Sequence, residues 1–453
     1  MSAQIEAQQL AALAEKSTLA RLPTYLRLSG PGWLQGAMTL GGGSAITSLT
    51  LGAQYGYDLL WVQPIAMIIG CIMLFALSHQ TLSTGVKPYR AMRQHISGTL
   101  AFLWAFAAIA SSVIWGFSHY PLSAGMIEEV VAVASGVELS NASGLGRELW
   151  LFAFAILVWC VCAYTAWNYG RGGRPVKVFE TAIKWLSTGI ILAFLWVVVY
   201  ASLQGKVDWA AVLRGFIPGR IPTDLAGVTT VMAALGTAVG INMTFIYGYT
   251  LLERGWGREH RELARYDIVM GLVIPYILVT TLIAIAAAGA LHGSGLDIQG
   301  KLSPAQAASM FTEAGISPVT GRLIFAIGIL GMAVGSLVMH MLCCGAVAGE
   351  LFNLEPHSRA YRWWLLLPTP AVLGVFLWST MGAYVILPTS AISGFLLPIA
   401  YLGWLLLNNR RDYMGADRPE GGRAAIFNAA MLVCIFTVLS SVVFSTLVAL
   451  GWM

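Results

Sequence analysis

Eleven stretches of about 20 or more mostly apolar residues divide this chain, near residues 31–54, 58–82, 98–134, 149–169, 178–203, 226–252, 266–291, 319–350, 361–380, 385–408 and 424–451. In hydrocarbon every backbone N–H and C=O must find a partner within the protein, and a helix supplies that partner inside each stretch. Of the residues, 57% are hydrophobic and only 10% charged, against about 25% charged in an ordinary soluble domain. A water-facing surface cannot be assembled from so few charges. The expected class is an all-α integral membrane protein with about eleven transmembrane helices and a lipid bilayer as its main partner.

Charge placement supplies a topology, because cytoplasmic loops keep Lys and Arg while short translocated loops do not. The first 25 residues carry Glu6, Glu15, Lys16 and Arg21 without a compact apolar run before them, unlike a cleaved secretory signal. With the N-terminus in the cytoplasm, 19 of the 26 basic residues fall on inner segments, and the C-terminus lies outside the cell membrane. The net charge of +5 is then a topology signal, and no nucleic-acid partner is expected. Oligomeric state stays open.

Several function classes drop out. The six cysteines sit inside apolar segments without paired zinc-ligand spacing. No Walker-type loop points to ATP hydrolysis within the chain. No nucleophile–base pair or metal-ligand cluster stands out, so neither an enzyme nor a bound cofactor is expected.

Two of the spans carry interruptions. The first reads Gly36-Ala37-Met38-Thr39-Leu40-Gly41-Gly42-Gly43-Ser44-Ala45-Ile46-Thr47, and the sixth reads Gly236-Thr237-Ala238-Val239-Gly240-Ile241-Asn242-Met243-Thr244-Phe245-Ile246-Tyr247-Gly248. Each interior glycine costs a helix about 1 kcal/mol relative to alanine. Three in succession, followed by Ser44 and Thr47, predict an unwound link at Gly41–Gly43 that faces a second link at Gly240–Thr244. Interruptions five spans apart predict a five-plus-five inverted repeat with a substrate site at the midplane. Gly236 and Gly240 also form a small-xxx-small pair, so close helix packing is the alternative. The implied division is a cytoplasmic segment 1–27, a first repeat 28–203, an extracytoplasmic loop 204–225, a second repeat 226–408, a cytoplasmic loop 409–423 and an eleventh span 424–453.

Gly30-Pro31-Gly32-Trp33-Leu34, Gly52-Ala53-Gln54-Tyr55-Gly56-Tyr57-Asp58-Leu59-Leu60-Trp61-Val62 and Val207-Asp208-Trp209-Ala210-Ala211-Val212-Leu213-Arg214-Gly215-Phe216-Ile217-Pro218 are similar to segments around the first and sixth spans of the NRAMP metal-transporter family. The resemblance covers roughly residues 28–450. It implies a leucine-transporter-type fold with broken first and sixth helices, alternating access and, in typical members, proton-coupled uptake of divalent transition metals. It also exposes a departure. Ungapped pairing puts the family's Asp-Pro-Gly-Asn on Gly41-Gly42-Gly43-Ser44 and its Met-Pro-His-Asn on Gly240-Ile241-Asn242-Met243. The family's later histidine falls on Tyr247, its acidic third-span positions near Ala108, Trp115 and Ser118, and its tenth-span glutamine near Ser390. With the usual ligands replaced at Gly41, Ser44 and Gly240, which metal is carried, if any, stays unknown.

The expected substrate-binding residues are Gly41, Gly42, Gly43, Ser44, Thr47, Gly240, Asn242, Thr244, Tyr247 and Trp115. Neutral oxygens and backbone carbonyls suit a monovalent cation. The aromatic and imidazole side chains of Trp115, Phe117, His119, Tyr120, Phe245, Tyr247 and Tyr249 suit a small organic molecule or organic cation if they face the cavity, and are packing residues if they do not. Glu180 and Lys184, one helical turn apart, together with His119 and His340, are the coupling or gating candidates. Glu128 and Glu129 are expected in water at the outer end of the third span. Two functions follow: a secondary transporter with an altered small solute or cation, or a transport-inactive sensor or scaffold.

Overall fold

The computed structural model describes residue 10 and residues 18–137, 145–169, 174–219, 221–296 and 302–452. Among these, nine helices are long and apolar enough to cross a membrane. The fifth span, Arg174–Leu203, has a shorter apolar part at Thr188–Leu203, and the first span is in two pieces. The architecture is all-helical and agrees with eleven crossings.

The first span consists of Pro31–Thr39 and Gly42–Tyr55. Pro31 opens the first half, where its missing N–H is no loss. Leu40 and Gly41 make the link, with Gly41 extended at φ −102° and ψ −175°. This corrects the expected link: Gly42 and Gly43 are the first helical residues of the second half, because one extended glycine suffices to redirect the chain. The sixth span breaks at Val239 and Gly240, between Leu225–Ala238 and Ile241–Glu253. Ile241 through Thr244 are helical, so that link is also shorter than expected.

Two further spans depart from regular α-helix. The seventh runs Arg261–Ile268, a π-turn at Val269–Val273, then Ile274–Ala290. At the π-turn it meets the first half-helix backbone to backbone. A Cβ on Gly36 would strike the Gly271 carbonyl, and one on Gly271 would lie 2.6 Å from the Trp33 nitrogen. The ninth span is a short helix, Arg359–Leu365, then nine residues of 3-10 helix at Thr369–Leu377 and a final turn at Trp378–Met381. Pro368 and Pro370 lack the N–H groups that an α-helix there needs.

Packing repeats with a shift of five spans. The second half of the first span packs on the seventh, and the second half of the sixth packs on the second. The third span packs on the ninth and tenth, as the eighth packs on the fourth and fifth. The third and eighth cross at the centre, and the eleventh (Gly421–Ala449) lies outside against the second, sixth and tenth.

Charged residues gather at two ends. Arg21 pairs with Glu262, Arg258 and Arg261 with Asp417, and Lys87 and Arg90 with Glu350, joining segments that the charge reading placed on one side. At the other end Lys206 meets Glu313. There Glu128 and Glu129 are buried, which corrects the solvated reading. Arg147 holds Glu128 through two bonds of 2.7 and 3.0 Å, Trp378 donates to it at 3.3 Å, and Arg322 pairs with Glu129. Sequence spacing hid this because Arg322 comes from the eighth span, far along the chain.

Removing one member of such a pair strands its partner, at a cost of about 3–5 kcal/mol. Arg322→Met is expected to lower the thermal-unfolding midpoint in detergent by several degrees. Glu129→Leu in the same chain should restore most of the loss. Equal midpoints for wild type and Arg322→Met would show that the pair is not holding the third and eighth spans.

Candidate functional site

Both breaks open on one small cavity, of about 30 Å³, enough for one or two waters. Its walls come from the first span (Met38, Thr39, Gly41, Gly43, Ser44), the third (Trp115, His119), the sixth (Gly236, Thr237, Gly240, Asn242, Met243) and the eighth (Ser336, His340).

Each break leaves backbone groups without helical partners, and local side chains take them up. Ser44 donates its hydroxyl to the Thr39 carbonyl at 2.6 Å, with the Gly41 carbonyl at 3.1 Å. Asn242 accepts from the Met243 N–H at 3.0 Å. Ser44 and Asn242 therefore stabilise the irregular backbone as well as line the cavity. Missing side chains leave room that neighbours fill. A Cβ on Gly41 would meet Ser336 Oγ, and one on Gly240 would lie 2.6 Å from Asn242 Oδ1. At Gly43 it would lie 2.8 Å from the Trp115 ring and 3.2 Å from the Thr237 methyl.

The aromatic wall is a stack. Trp115 lies nearly parallel to His340, at 5.7 Å and 12°, and His119 stands edge-on to both, at 5.2 Å from Trp115 and 5.5 Å from His340. Hydrogen bonds fix the imidazole tautomers. His119 Nδ1 is 2.9 Å from the Trp115 carbonyl, which only accepts, so Nδ1 carries the proton and Nε2 keeps a lone pair. His340 Nδ1 faces the Asn242 amide nitrogen at 2.7 Å, which only donates, so the His340 proton is on Nε2.

Six of the ten expected binding residues line the cavity: Gly41, Gly43, Ser44, Gly240, Asn242 and Trp115. The other four do not. Gly42 turns toward Leu122 and Ala333. Thr47 is fully buried elsewhere in the first span. Thr244 accepts from Trp104 at 3.3 Å, and Tyr247 is enclosed in the core of the sixth span. Thr244 is turned about 100° around the helix from Met243, and Tyr247 stands one turn, about 6 Å, farther along it than Met243. Phe245 likewise packs on Trp104 and Tyr249, at 4.9 and 5.3 Å. Of the coupling candidates, His119 and His340 meet at the cavity; Glu180 and Lys184 belong to the fifth span, and their side chains lie outside the described residues.

Met243, Met38, Thr39 and Ser336 line the cavity without having been expected there. Met243 was legible: it follows Gly240 by three residues and so shares its helix face. Its thioether accepts from the Thr39 hydroxyl at 3.2 Å. A soft donor thus reaches the site from a position one turn beyond the one where ungapped pairing seeks it. Among the described residues no Asp or Glu lines the cavity, and no three His, Cys, Asp or Glu gather as a metal cluster.

A family model described as natural resistance-associated macrophage protein-like matches residues 32–444. A divalent metal cation transporter, MntH, of Brucella suis is 25% identical over 431 residues, covering 90% of this chain and 87% of that protein. Among solved structures, the Eremococcus coleocola manganese transporter superposes with a TM-score of 0.71 at 15% identity, covering 94% of this chain and 87% of that one. MhsT in complex with L-phenylalanine gives 0.62 at 13% identity, covering 92% of this chain and 99% of that one. These likenesses give the leucine-transporter-type fold.

Gly43→Ala is expected to destabilise the protein by about 1–3 kcal/mol, because the new methyl strikes an indole already stacked on His340. Gly43→Ala with Trp115→Phe should recover part of the loss in a thermal-unfolding measurement. Full stability of the single variant would mean that Trp115 does not press on the break.

Proposed function

Since the chain belongs to the natural resistance-associated macrophage protein-like family, we propose that it is a multi-pass secondary transporter that carries a small cation through the cavity between its two breaks. The observation that carries this reading is the cavity itself: two interrupted helices meet at a chamber where Thr39, Ser44, Asn242, His119 and His340 stand among apolar side chains. Irregular backbone at membrane depth is tolerated where it lines such a chamber. Metal-ion transport is the activity that the names of relatives support. The orientation follows from the basic residues, with the N-terminus cytoplasmic and the C-terminus outside. Residues 28–203 and 226–408 are then the two repeats.

The cargo differs from a typical Mn²⁺ or Fe²⁺ load. Mn²⁺ favours carboxylate, carbonyl and water ligands. A largely dehydrated divalent ion here would have no compensating charge, and burying it that way costs many kcal/mol. The cavity also holds too little space for an organic solute in this conformation. Coupling would rest on groups other than the family's acids, with His119 and His340 at the cavity and Glu180 and Lys184 in the fifth span.

Purified protein is expected to show no micromolar, saturable Mn²⁺ binding by calorimetry. Binding of that strength, abolished by changes at Ser44 or Asn242, would reverse the assignment. Reconstituted protein should give substrate-dependent, saturable uptake into liposomes across a screen of metal and monovalent cations. A sensor or scaffold would give none.

A further inference from the structure

The donors around the cavity form a particular set. Met243 Sδ and Met38 offer thioethers, and His119 offers a neutral imidazole whose Nε2 lone pair is preset by its Nδ1 bond to the Trp115 carbonyl. A ligating histidine commonly gives its other N–H to a backbone carbonyl in this manner. The Thr39 hydroxyl donates to the Met243 sulfur at 3.2 Å, which fixes the thioether's place and leaves its second lone pair for an ion. All of these donors are uncharged and soft or borderline.

Three considerations select the ion. Thioether sulfur and imidazole nitrogen favour soft cations such as Cu(I), whereas carboxylate and carbonyl oxygens favour hard ones. The cost of dehydration rises with the square of the charge, so a neutral site tolerates a monovalent ion far better than a divalent one. An alkali cation would need a cage of carbonyl oxygens. The first break offers the Thr39 and Gly41 carbonyls, which share the Ser44 hydroxyl and are too few to make such a cage.

We propose that the cavity binds a soft monovalent d10 cation of the copper(I) and silver(I) class, with Met243 Sδ and His119 Nε2 as ligands and Met38 completing the set. This deepens the transport reading and names its cargo class. Asn242 and His340 form the opposite wall. In the arrangement described, His340 Nε2 carries a proton and does not ligate. The Met243 N–H, donating to Asn242 Oδ1 at 3.0 Å, holds the amide in this orientation.

The test uses Ag⁺, added as nitrate in chloride-free buffer to full-length protein whose exposed thiol, Cys160, has been alkylated. Isothermal calorimetry should show one saturable equivalent that is weakened at least tenfold by Met243→Leu and by His119→Gln and kept by Met243→Cys. Na⁺, K⁺ and Mn²⁺ should show no such event. Silver-edge X-ray absorption should report sulfur and nitrogen neighbours, with the nitrogen lost in His119→Gln. Size-exclusion elution at the wild-type volume confirms that each variant is folded. Equal Ag⁺ binding in wild type, Met243→Leu and His119→Gln, or a silver spectrum without nitrogen, overturns the assignment. Liposome uptake separates the two claims. Site-dependent Ag⁺ binding without ion uptake removes the transport reading and leaves the site standing. Uptake of another cation with no Ag⁺ binding removes only the soft-cation assignment.

Discussion

Breaking a helix in the middle of a membrane strands backbone groups where no lipid can satisfy them, and the rest of this structure answers that constraint. At the first break the answer is Ser44, whose hydroxyl takes up the Thr39 and Gly41 carbonyls. The half-helix that precedes it needs an anchor at its other end. Asp267 of the seventh span provides one, accepting from the Gly30 and Gly32 N–H groups at 3.0 and 2.5 Å. Arg254, at the end of the sixth span, donates to the Leu28 carbonyl at 2.7 Å. The short first half-helix is thereby tied to the sixth and seventh spans, which a continuous span would not require.

Close approach of backbones is the second half of that answer. Glycine at positions 32, 36 and 271 lets the first half-helix lie directly on the seventh span, where any Cβ would collide with main-chain atoms. The π-turn at Val269–Val273 is at the same place, so the seventh span departs from regular helix where it receives its neighbour. Similar economy appears at Gly236, whose missing side chain admits the Ser390 carbonyl of the tenth span. Small residues here set the distance between helices rather than the flexibility of any one of them.

Much of the fold was legible because hydrophobic length is a one-dimensional signal. The third span expected at 98–134 is found at Gly98–Ser135, and the eighth expected at 319–350 is found at Pro318–Phe352. The breaks were legible in kind but not in extent, since glycine marks where a helix can stop without saying how many residues must leave it. Gly42 and Gly43 are needed for the closeness of Leu122 and Trp115, not for unwinding. The site was half legible. Residues beside the breaks could be named, but orientation around a helix and distance along it decided the rest. Thr244 and Tyr247 point into the core, while Met243, between them and Asn242, points to the cavity. Glu128 and Glu129 read as solvated because their partners, Arg147 and Arg322, come from other spans.

The cavity draws its walls from four separate helices, each contributing a few side chains and none of them carrying the chamber alone. Evolution can therefore retune such a chamber one wall at a time. A side chain added at position 41 or 240 meets Ser336 or Asn242, two residues of the chamber wall, and not the contacts between whole spans. Scaffold and chamber are thus built from different residues: the first from contacts between whole spans, the second from a handful of side chains near two breaks.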